Sequence, residues 1–93
     1  MLTITTNALT IIRRVTGHPK LKETAGVRIA RQDAPGAPLG VRVVHGPRPG
    51  DSVVERDGAR LYLGPEAASR VDGRELDALT EPDGRVHFVL RAA

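Results

Sequence analysis

The segment PRPGDSVVERDGARLYL, residues 47–63, gives the clearest indication of how this chain folds. At its centre lies Asp57-Gly58, a dipeptide that favours a tight two-residue turn because both residues tolerate positive φ. The flanking stretches Ser52–Arg56 and Ala59–Leu63 contain Val, Leu and Tyr, which favour extended structure. The segment therefore predicts a β-hairpin.

Upstream of the hairpin, the sequence predicts three strands and one helix. Met1–Thr5 alternates as a short strand, and the Thr6 hydroxyl can cap the helix that follows it. Gly17 is expected to end that helix in a left-handed conformation. Two further alternating stretches, Gly26–Gln32 and Leu39–His45, predict strands. The residues expected to face inward on them are Val27, Ile29, Leu39, Val41 and Val43.

Downstream of the hairpin, Gly64-Pro65 predicts a second helix, because proline suits the first helical position. Glu75–Leu79 and Arg85–Arg91 predict a last pair of strands. The element order is then β-α-β-β-β-β-α-β-β. Short strands with one wet face and two covering helices indicate an α+β fold with mixed, mostly antiparallel β-sheets.

The composition indicates one small globular domain spanning residues 1–93. Charged residues make up 27% of the chain and hydrophobic residues 40%, a balance that argues against an intrinsically disordered protein. The sequence contains no cysteine, which excludes disulfides, thiolate metal sites and cysteine nucleophiles within it. No apolar run could span a membrane and no signal-peptide pattern is present, so we expect a cytoplasmic protein.

Catalytic residues in a recognisable arrangement are missing from the sequence. The serines are Ser52 and Ser69, and nothing resembles a nucleophile elbow, a P-loop or a dinucleotide-binding fingerprint. Because the sequence lacks a convergent acid/base set, we expect no enzymatic activity.

Three histidines offer one route to a bound metal ion. His18, His45 and His87 could meet in space, with Asp33 or Asp51 as oxygen ligands, and neutral imidazole binds zinc or iron well. None of the histidines lies three or four residues from another, so no helical ligand pair is present. Three exposed histidines are the simpler interpretation, and a histidine/carboxylate metal-binding protein is one alternative function.

Arginines at alternate strand positions offer a second alternative. Opposite the apolar face of the predicted sheet, and so on one shared face, lie Arg28, Arg42, Arg60, Arg85 and Arg91. A face covered by arginine could contact a phosphate backbone, but single-strand binding usually adds stacking aromatics, and Tyr62 is the only candidate. Acidic residues interrupt the charge, and the net charge is only +3. A solvated sheet face is therefore favoured over weak nucleic-acid binding.

Several segments share their order and spacing with one known family. They are residues 2–5 (LTIT), 26–29 (GVRI), 47–55 (PRPGDSVVE), the hairpin at 57–63, and Leu76-Asp77 after a helix. The longest of these, 47–55, resembles a Pro-x-Pro-x-Asp-x-Val motif. Together they resemble the HesB/IscA family, the A-type iron–sulfur cluster carriers. The resemblance covers essentially the whole chain and implies the fold of that family.

The cluster-ligating cysteines of that family have no counterpart in this sequence. Without gaps, the family's Gly-Cys-Ser-Gly turn falls on Asp33-Ala34-Pro35-Gly36, which places Ala34 at the cysteine position. The family's Cys-Gly-Cys tail would come after residues 91–93. An alanine methyl cannot coordinate iron, so the resemblance carries no cluster-binding residue to this chain.

We therefore predict a non-catalytic HesB/IscA-like scaffold or protein-interaction module, related to iron–sulfur cluster assembly proteins but without cysteine ligands. We assign it no catalytic residue, no metal ligand and no cofactor. Its expected partners are proteins, including a second copy in a homodimer, because exposed strand edges favour association. No membrane partner is expected, and nucleic acid is disfavoured.

Overall fold

The computed structural model describes residues 2–21, 23–32 and 38–92. Their helices and strands follow the order β-α-β-β-β-β-α-β-β, as the sequence predicted. In chain order they are β1 (Thr3–Ile4), α1 (Thr6–Thr16), β2 (Gly26–Ala30), β3 (Gly40–Val44), β4 (Ser52–Arg56), β5 (Ala59–Leu63), α2 (Pro65–Arg70), β6 (Arg74–Thr80) and β7 (Val86–Ala92). The α+β class with mixed, mostly antiparallel sheets is confirmed.

Strands β2 to β5 form a four-stranded sheet in the order β3-β2-β5-β4. β2 is antiparallel to β3 and parallel to β5, and β5 is antiparallel to β4. The β4–β5 hairpin has the predicted bounds, and Asp57 and Gly58 have φ values of 50° and 83°. A two-residue turn with both φ angles positive matches the right-handed twist of the strands, which is why this dipeptide specifies the hairpin locally.

Strands β1, β6 and β7 form a second sheet in the order β1-β6-β7. β1 is parallel to β6, and β6 is antiparallel to β7. The β6–β7 pairing runs from Arg74 opposite Ala92 to Thr80 opposite Val86, so both strands extend beyond part of their predicted bounds. Arg85, predicted to open the last strand, instead precedes β7.

The ends of α1 differ from the prediction in two ways. Thr5 is the N-cap rather than Thr6, because its Oγ1 accepts the Ala8 N–H at 3.0 Å and its backbone is extended. Both threonines carry the hydroxyl that a cap needs, so the sequence could not distinguish them. The predicted left-handed end is wrong as well, since Gly17 has φ −84° and ψ 8°.

A single apolar cluster joins both sheets and both helices. Its buried members are Leu2, Ala8, Ile11, Ile12, Val27, Ile29, Ala59, Leu61, Leu63, Ala67, Val71, Leu76 and Ala78. Each large aliphatic side chain buried in this way contributes about 1.5–3 kcal/mol to stability. Neither α1 nor α2, the helices of the described residues, is long and apolar enough to cross a membrane.

Val43 shows where the apolar cluster stops. It lies opposite Val27 in the β2–β3 register and therefore on the inner face, yet its side chain is 43% exposed. Val43 thus has the predicted inward orientation but is not buried, because β3 is an edge strand: Val41 of the same strand packs against the cluster, whereas Val43 does not belong to it. Alternation gives the face of a side chain but not how far the core extends beneath that face.

Candidate functional site

The outer face of the four-stranded sheet, opposite the apolar cluster, carries three of the five strand arginines. The register places Arg28 of β2 between Arg42 of β3 and Tyr62 of β5. Arg60 lies two residues before Tyr62 on β5, so it projects from the same face. These side chains converge because β2, β3 and β5 are neighbours in the sheet.

The other two arginines lie elsewhere, so the prediction that all five share one face is wrong. Arg85 precedes β7, and Arg91 lies on β7 in the three-stranded sheet. Alternation correctly predicted that Arg91 lies on the solvent-facing side of its strand, but alternation cannot reveal which strands share a sheet.

Arg91 belongs to a group that we call the Asp77 network: Asp77, Thr5, Ala78 and Arg91. Asp77 Oδ1 accepts the Thr5 hydroxyl at 2.7 Å and the Ala78 N–H at 2.8 Å, and Oδ2 accepts Arg91 Nη1 at 2.6 Å. The Thr5 hydroxyl, then Arg91, then the Ala78 N–H lower the pKa of Asp77 to about 2. Because Thr5 also caps α1, the network attaches the start of that helix to β6.

Tyr62 lies on the outer face but is covered. Its side chain packs over Gly26, where an added Cβ would lie 2.7 Å from the tyrosine ring, and the residue is only 2% exposed. Its hydroxyl donates to the Thr24 carbonyl, and Arg60 Nη1 donates to the Glu23 carbonyl. The segment before β2 thus covers the one aromatic ring that the nucleic-acid alternative required for stacking.

Arg28 forms a fork-shaped ion pair with Asp51. Its Nε and Nη2 donate to the two carboxylate oxygens at 2.8 and 2.9 Å, and the Asp51 side chain is fully buried while that of Arg28 is 14% exposed. The hydrogen bond from Arg28 is the largest effect lowering the pKa of Asp51, and the same bond raises the pKa of Arg28. The pair is therefore fully ionised and holds the guanidinium in a fixed plane.

Asp51 also closes the turn Arg48-Pro49-Gly50-Asp51. Its N–H donates to the Arg48 carbonyl at 3.0 Å, and its carboxylate accepts the Arg48 N–H at 2.9 Å. Proline at the second position and Gly50 with φ 87° at the third are typical of a type II turn. This explains the Pro-x-Pro-x-Asp pattern: the aspartate joins the turn to Arg28, 23 residues earlier, a contact that sequence reasoning missed.

Beside this ion pair is a hollow of about 320 Å³, which we call the arginine pocket. It is lined by Arg28, Ala30, Arg31, Gln32, Gly40, Arg42, Val44 and Arg48. Gln32 Nε2 donates to the Pro38 carbonyl at 2.7 Å, and Arg31 reaches Glu66 at 3.3 Å. The pocket therefore combines guanidinium groups with a floor of small and apolar residues.

The three histidines do not form a shared site among the described residues. His18 Nδ1 accepts the Lys20 N–H at 3.1 Å, and His87 Nε2 lies 2.9 Å from Glu81 Oε1. His45 follows β3. Within residues 2–21, 23–32 and 38–92, no three or more histidine, aspartate or glutamate side chains are grouped so that they could hold a metal ion.

The proposed oxygen ligands add little to the histidine hypothesis. Asp51 is occupied by Arg28 and the turn at 48–51, and Asp33 lies outside the described residues. Ala34, at the position of the family's first cysteine, also lies outside them. The described residues therefore give the histidine/carboxylate alternative no support.

Apolar side chains are exposed at both edges of the four-stranded sheet. Val43 on β3 is 43% exposed, and Val53 on β4 is 57% exposed. A groove of about 290 Å³ also runs between β3 and β7, lined by Pro38, Leu39, Val41, Arg70, Arg74, Phe88 and Leu90. β3 and β4 each have one hydrogen-bonded neighbour among the described strands, so their outer edges are open to association.

Comparison with known proteins identifies related folds. No family model matches the chain, and no curated protein matches it significantly. Among solved structures, it is similar to Escherichia coli SufA, described as involved in biosynthesis of iron–sulfur clusters, with 28% identity and a TM-score of 0.76 over 98% of this chain and 84% of SufA. It also resembles IscA solved with a [2Fe-2S] cluster, with 21% identity and a TM-score of 0.71 over 99% of this chain and 85% of IscA.

These similarities agree with the residues that carried the resemblance. The Pro-x-Pro-x-Asp turn, the hairpin and the order of the elements all occur as that family's pattern implies. The sequence supplies none of the thiolates, because it contains no cysteine. The described residues therefore have a HesB/IscA-like fold, in a sequence without cysteine.

Proposed function

We propose that this domain acts through protein contacts, as a non-catalytic scaffold or interaction module in iron–sulfur cluster assembly or a related process. The observation that carries the proposal is a fold shared with SufA and IscA along nearly all of the chain, in a sequence without a single thiolate donor. Iron–sulfur clusters are held mainly by cysteine thiolates. What this domain shares with SufA and IscA is the fold.

The open edges of the four-stranded sheet are the surfaces that we expect to make these contacts. Val53 on β4 and Val43 on β3 are exposed apolar residues beside unpaired backbone groups. Strand addition at such an edge gains main-chain hydrogen bonds as well as apolar contact. A second copy of the chain or a cysteine-bearing HesB/IscA protein could pair there.

Anaerobic reconstitution with iron and sulfide tests the cluster-free part of the proposal. A cysteine-bearing HesB/IscA protein serves as the positive control, and both proteins are desalted before absorption spectra and metal analysis. We expect the control to turn brown and this protein to stay colourless and free of iron. A stable brown protein with stoichiometric iron and sulfide would contradict the proposal and direct mutagenesis to His18, His45 and His87.

Sedimentation analysis tests the contact part. The protein is measured alone and mixed with the cysteine-bearing relative, as wild type, as Val53→Lys and as Leu79→Lys. Leu79 is a matched control because it is 46% exposed but lies on β6 in the three-stranded sheet, outside the two open edges of the four-stranded sheet. We expect association that Val53→Lys weakens and Leu79→Lys leaves intact; a wild type that associates with neither partner would refute the contact proposal.

The cytoplasmic location, the lack of catalytic activity and the assignment of residues 1–93 to one domain stay predictions from the sequence. The histidine/carboxylate alternative lacks a supporting cluster in the described parts of the chain. The nucleic-acid alternative loses its stacking residue, because Tyr62 is covered.

A further inference from the structure

The arginine pocket holds more positive charge than the carboxylates of the described residues balance. Asp51 pairs with Arg28, and Glu66 approaches Arg31 at 3.3 Å across an exposed surface. Arg42 and Arg48 line the same pocket, and neither guanidinium forms an ion pair within the described part of the chain. Among the described residues, Arg42 thus has no carboxylate partner, and Arg48 shares the Asp51 charge with Arg28 without forming an ion pair of its own.

The register makes this excess costly for the folded chain. Arg42 lies directly opposite Arg28 on neighbouring antiparallel strands, where like charges destabilise the sheet. Asp51 compensates the charge of Arg28 but bonds to no group of Arg42. An anion bound beside Arg42 and Arg48 would remove the repulsion.

The pocket is also built from parts that are held in place. Asp51 fixes the plane of the Arg28 guanidinium and closes the turn from which Arg48 projects. Gly40 leaves room in the floor, since a Cβ there would lie 3.1 Å from Gln32 Cγ. A site whose donors are positioned before binding loses less entropy when a ligand arrives.

We propose that the arginine pocket binds a small, multiply charged phosphate ligand, with a diphosphate group as the recognised chemistry. Guanidinium donors match phosphate oxygens in bidentate pairs, and arginines from three segments can surround a compact anion. The hollow of about 320 Å³ suits a small ligand, and the covered Tyr62 ring leaves no platform for stacked bases. This inference is independent of the proposed scaffold function.

Calorimetric titration with inorganic pyrophosphate at low ionic strength tests the inference. The pocket variant combines Arg42→Gln and Arg48→Gln. The control combines Arg14→Gln and Arg85→Gln, which removes the same charge at two exposed positions outside the pocket. We expect the wild type and the control to bind pyrophosphate alike, and the pocket variant to bind about tenfold or more weakly.

Two further measurements keep the outcome decisive. Backbone amide shifts of the wild type should change at Gly40, Arg42 and Arg48 on adding pyrophosphate, which tests the site even where the variant folds poorly. Absence of binding to the wild type, or equal weakening in both variants, overturns the proposal. The proposal is also overturned if a single-stranded oligothymidylate binds more tightly than pyrophosphate and depends on the same arginines, because the ligand would then be nucleic acid.

Discussion

The Asp77 network and the arginine pocket both contain an aspartate and arginines, but they differ in how far the positive charges are balanced by carboxylates. Asp77 accepts three hydrogen bonds, from Thr5, Arg91 and Ala78, and its donors come from the N-cap of α1, from β7 and from β6. Asp51 likewise accepts from Arg28 and from the Arg48 N–H, but Arg42 and Arg48, which line the adjacent pocket, form no ion pair of their own within the described part of the chain. Charge that is balanced within the chain supports the fold, whereas unbalanced charge in a concave site indicates an external ligand.

The largest expected effect comes from removing the carboxylate of the pocket. Asp51→Ala leaves Arg28 without its partner and opens the turn at 48–51. We expect the free energy of unfolding, measured by urea denaturation, to fall by about 2–4 kcal/mol, because a buried charge loses its pair and its hydrogen bonds.

The control for this substitution is Asp83→Ala. Asp83 also pairs with an arginine, Arg85, at 3.0 Å, but its side chain is 50% exposed. An exposed pair contributes about 0–1 kcal/mol, so this variant should unfold near the wild type. Equal losses from the two substitutions would mean that Asp51 does not organise the turn and Arg28 as described.

The close contact between Gly26 and Tyr62 gives the next effect. Gly26→Ala places a methyl group 2.7 Å from the Tyr62 ring and 2.8 Å from the Arg60 carbonyl oxygen, which belongs to the backbone and cannot move freely. We expect a loss of about 1–3 kcal/mol in urea denaturation, the usual cost of overpacking. Gly84→Ala is not a suitable control, because Gly84 has φ 89° and alanine would be strained there. Ala25→Gly removes a methyl group at the preceding position, and it tests how strongly stability depends on packing in this segment.

The Asp77 network should reveal itself through pH. The pKa of Asp77 is lowered to about 2, so its ionised form contributes stability above the unfolded-state pKa of about 4 and loses it as the pH falls toward 2. The difference in unfolding free energy between wild type and Asp77→Asn should be constant above about pH 5 and shrink between about pH 4 and 2.

A second variant assigns the cause of that pH dependence. Thr5→Val removes the donor with the largest effect on the pKa of Asp77. The pKa should then rise toward its ordinary range, and acid destabilisation of this variant should begin at a higher pH than in the wild type. An unchanged profile in Thr5→Val would show that Thr5 does not set the Asp77 pKa.

The sequence predicted the local parts of this fold well and the distant contacts poorly. The β4–β5 hairpin has its predicted bounds because Asp57-Gly58 specifies its own turn. The arginine pocket depends on β2 lying beside β3 and on Asp51 reaching Arg28, which are contacts between segments separated in the chain. Alternation placed Arg28 and Arg42 on outward faces, but only the register brings them opposite each other.

The burial of Tyr62 is a second feature that the sequence could not predict, because it also depends on contacts between separate segments. Its place on the outer face follows from alternation, and the nucleic-acid hypothesis depended on its exposure. Glu23 and Thr24 accept hydrogen bonds from Arg60 and Tyr62 and so hold the preceding segment over that face. No sequence pattern in residues 23–25 predicts that this segment covers Tyr62, because the contacts use backbone carbonyl groups, which every residue possesses.

The smallest expected change in unfolding free energy comes from Arg42→Gln, and its sign shows whether Arg42 stabilises or destabilises the fold. Arg42→Gln removes a charge that faces Arg28 across the strands and has no carboxylate partner among the described residues. Without phosphate, we expect the unfolding free energy to rise by about 0.2–1 kcal/mol, because repulsion between like charges is relieved. Added salt should narrow the gain by screening that repulsion.

Arg91→Gln is the matched substitution in the Asp77 network, and it should lower stability because Arg91 Nη1 bonds to Asp77 at 2.6 Å. The two arginine variants therefore differ in sign at low salt, although both remove one positive charge from a strand. With pyrophosphate present, the wild type should become more stable than Arg42→Gln, since a ligand stabilises the state that binds it. Loss of stability in Arg42→Gln without phosphate would mean that Arg42 supports the fold, and the contrast between the two regions would then disappear.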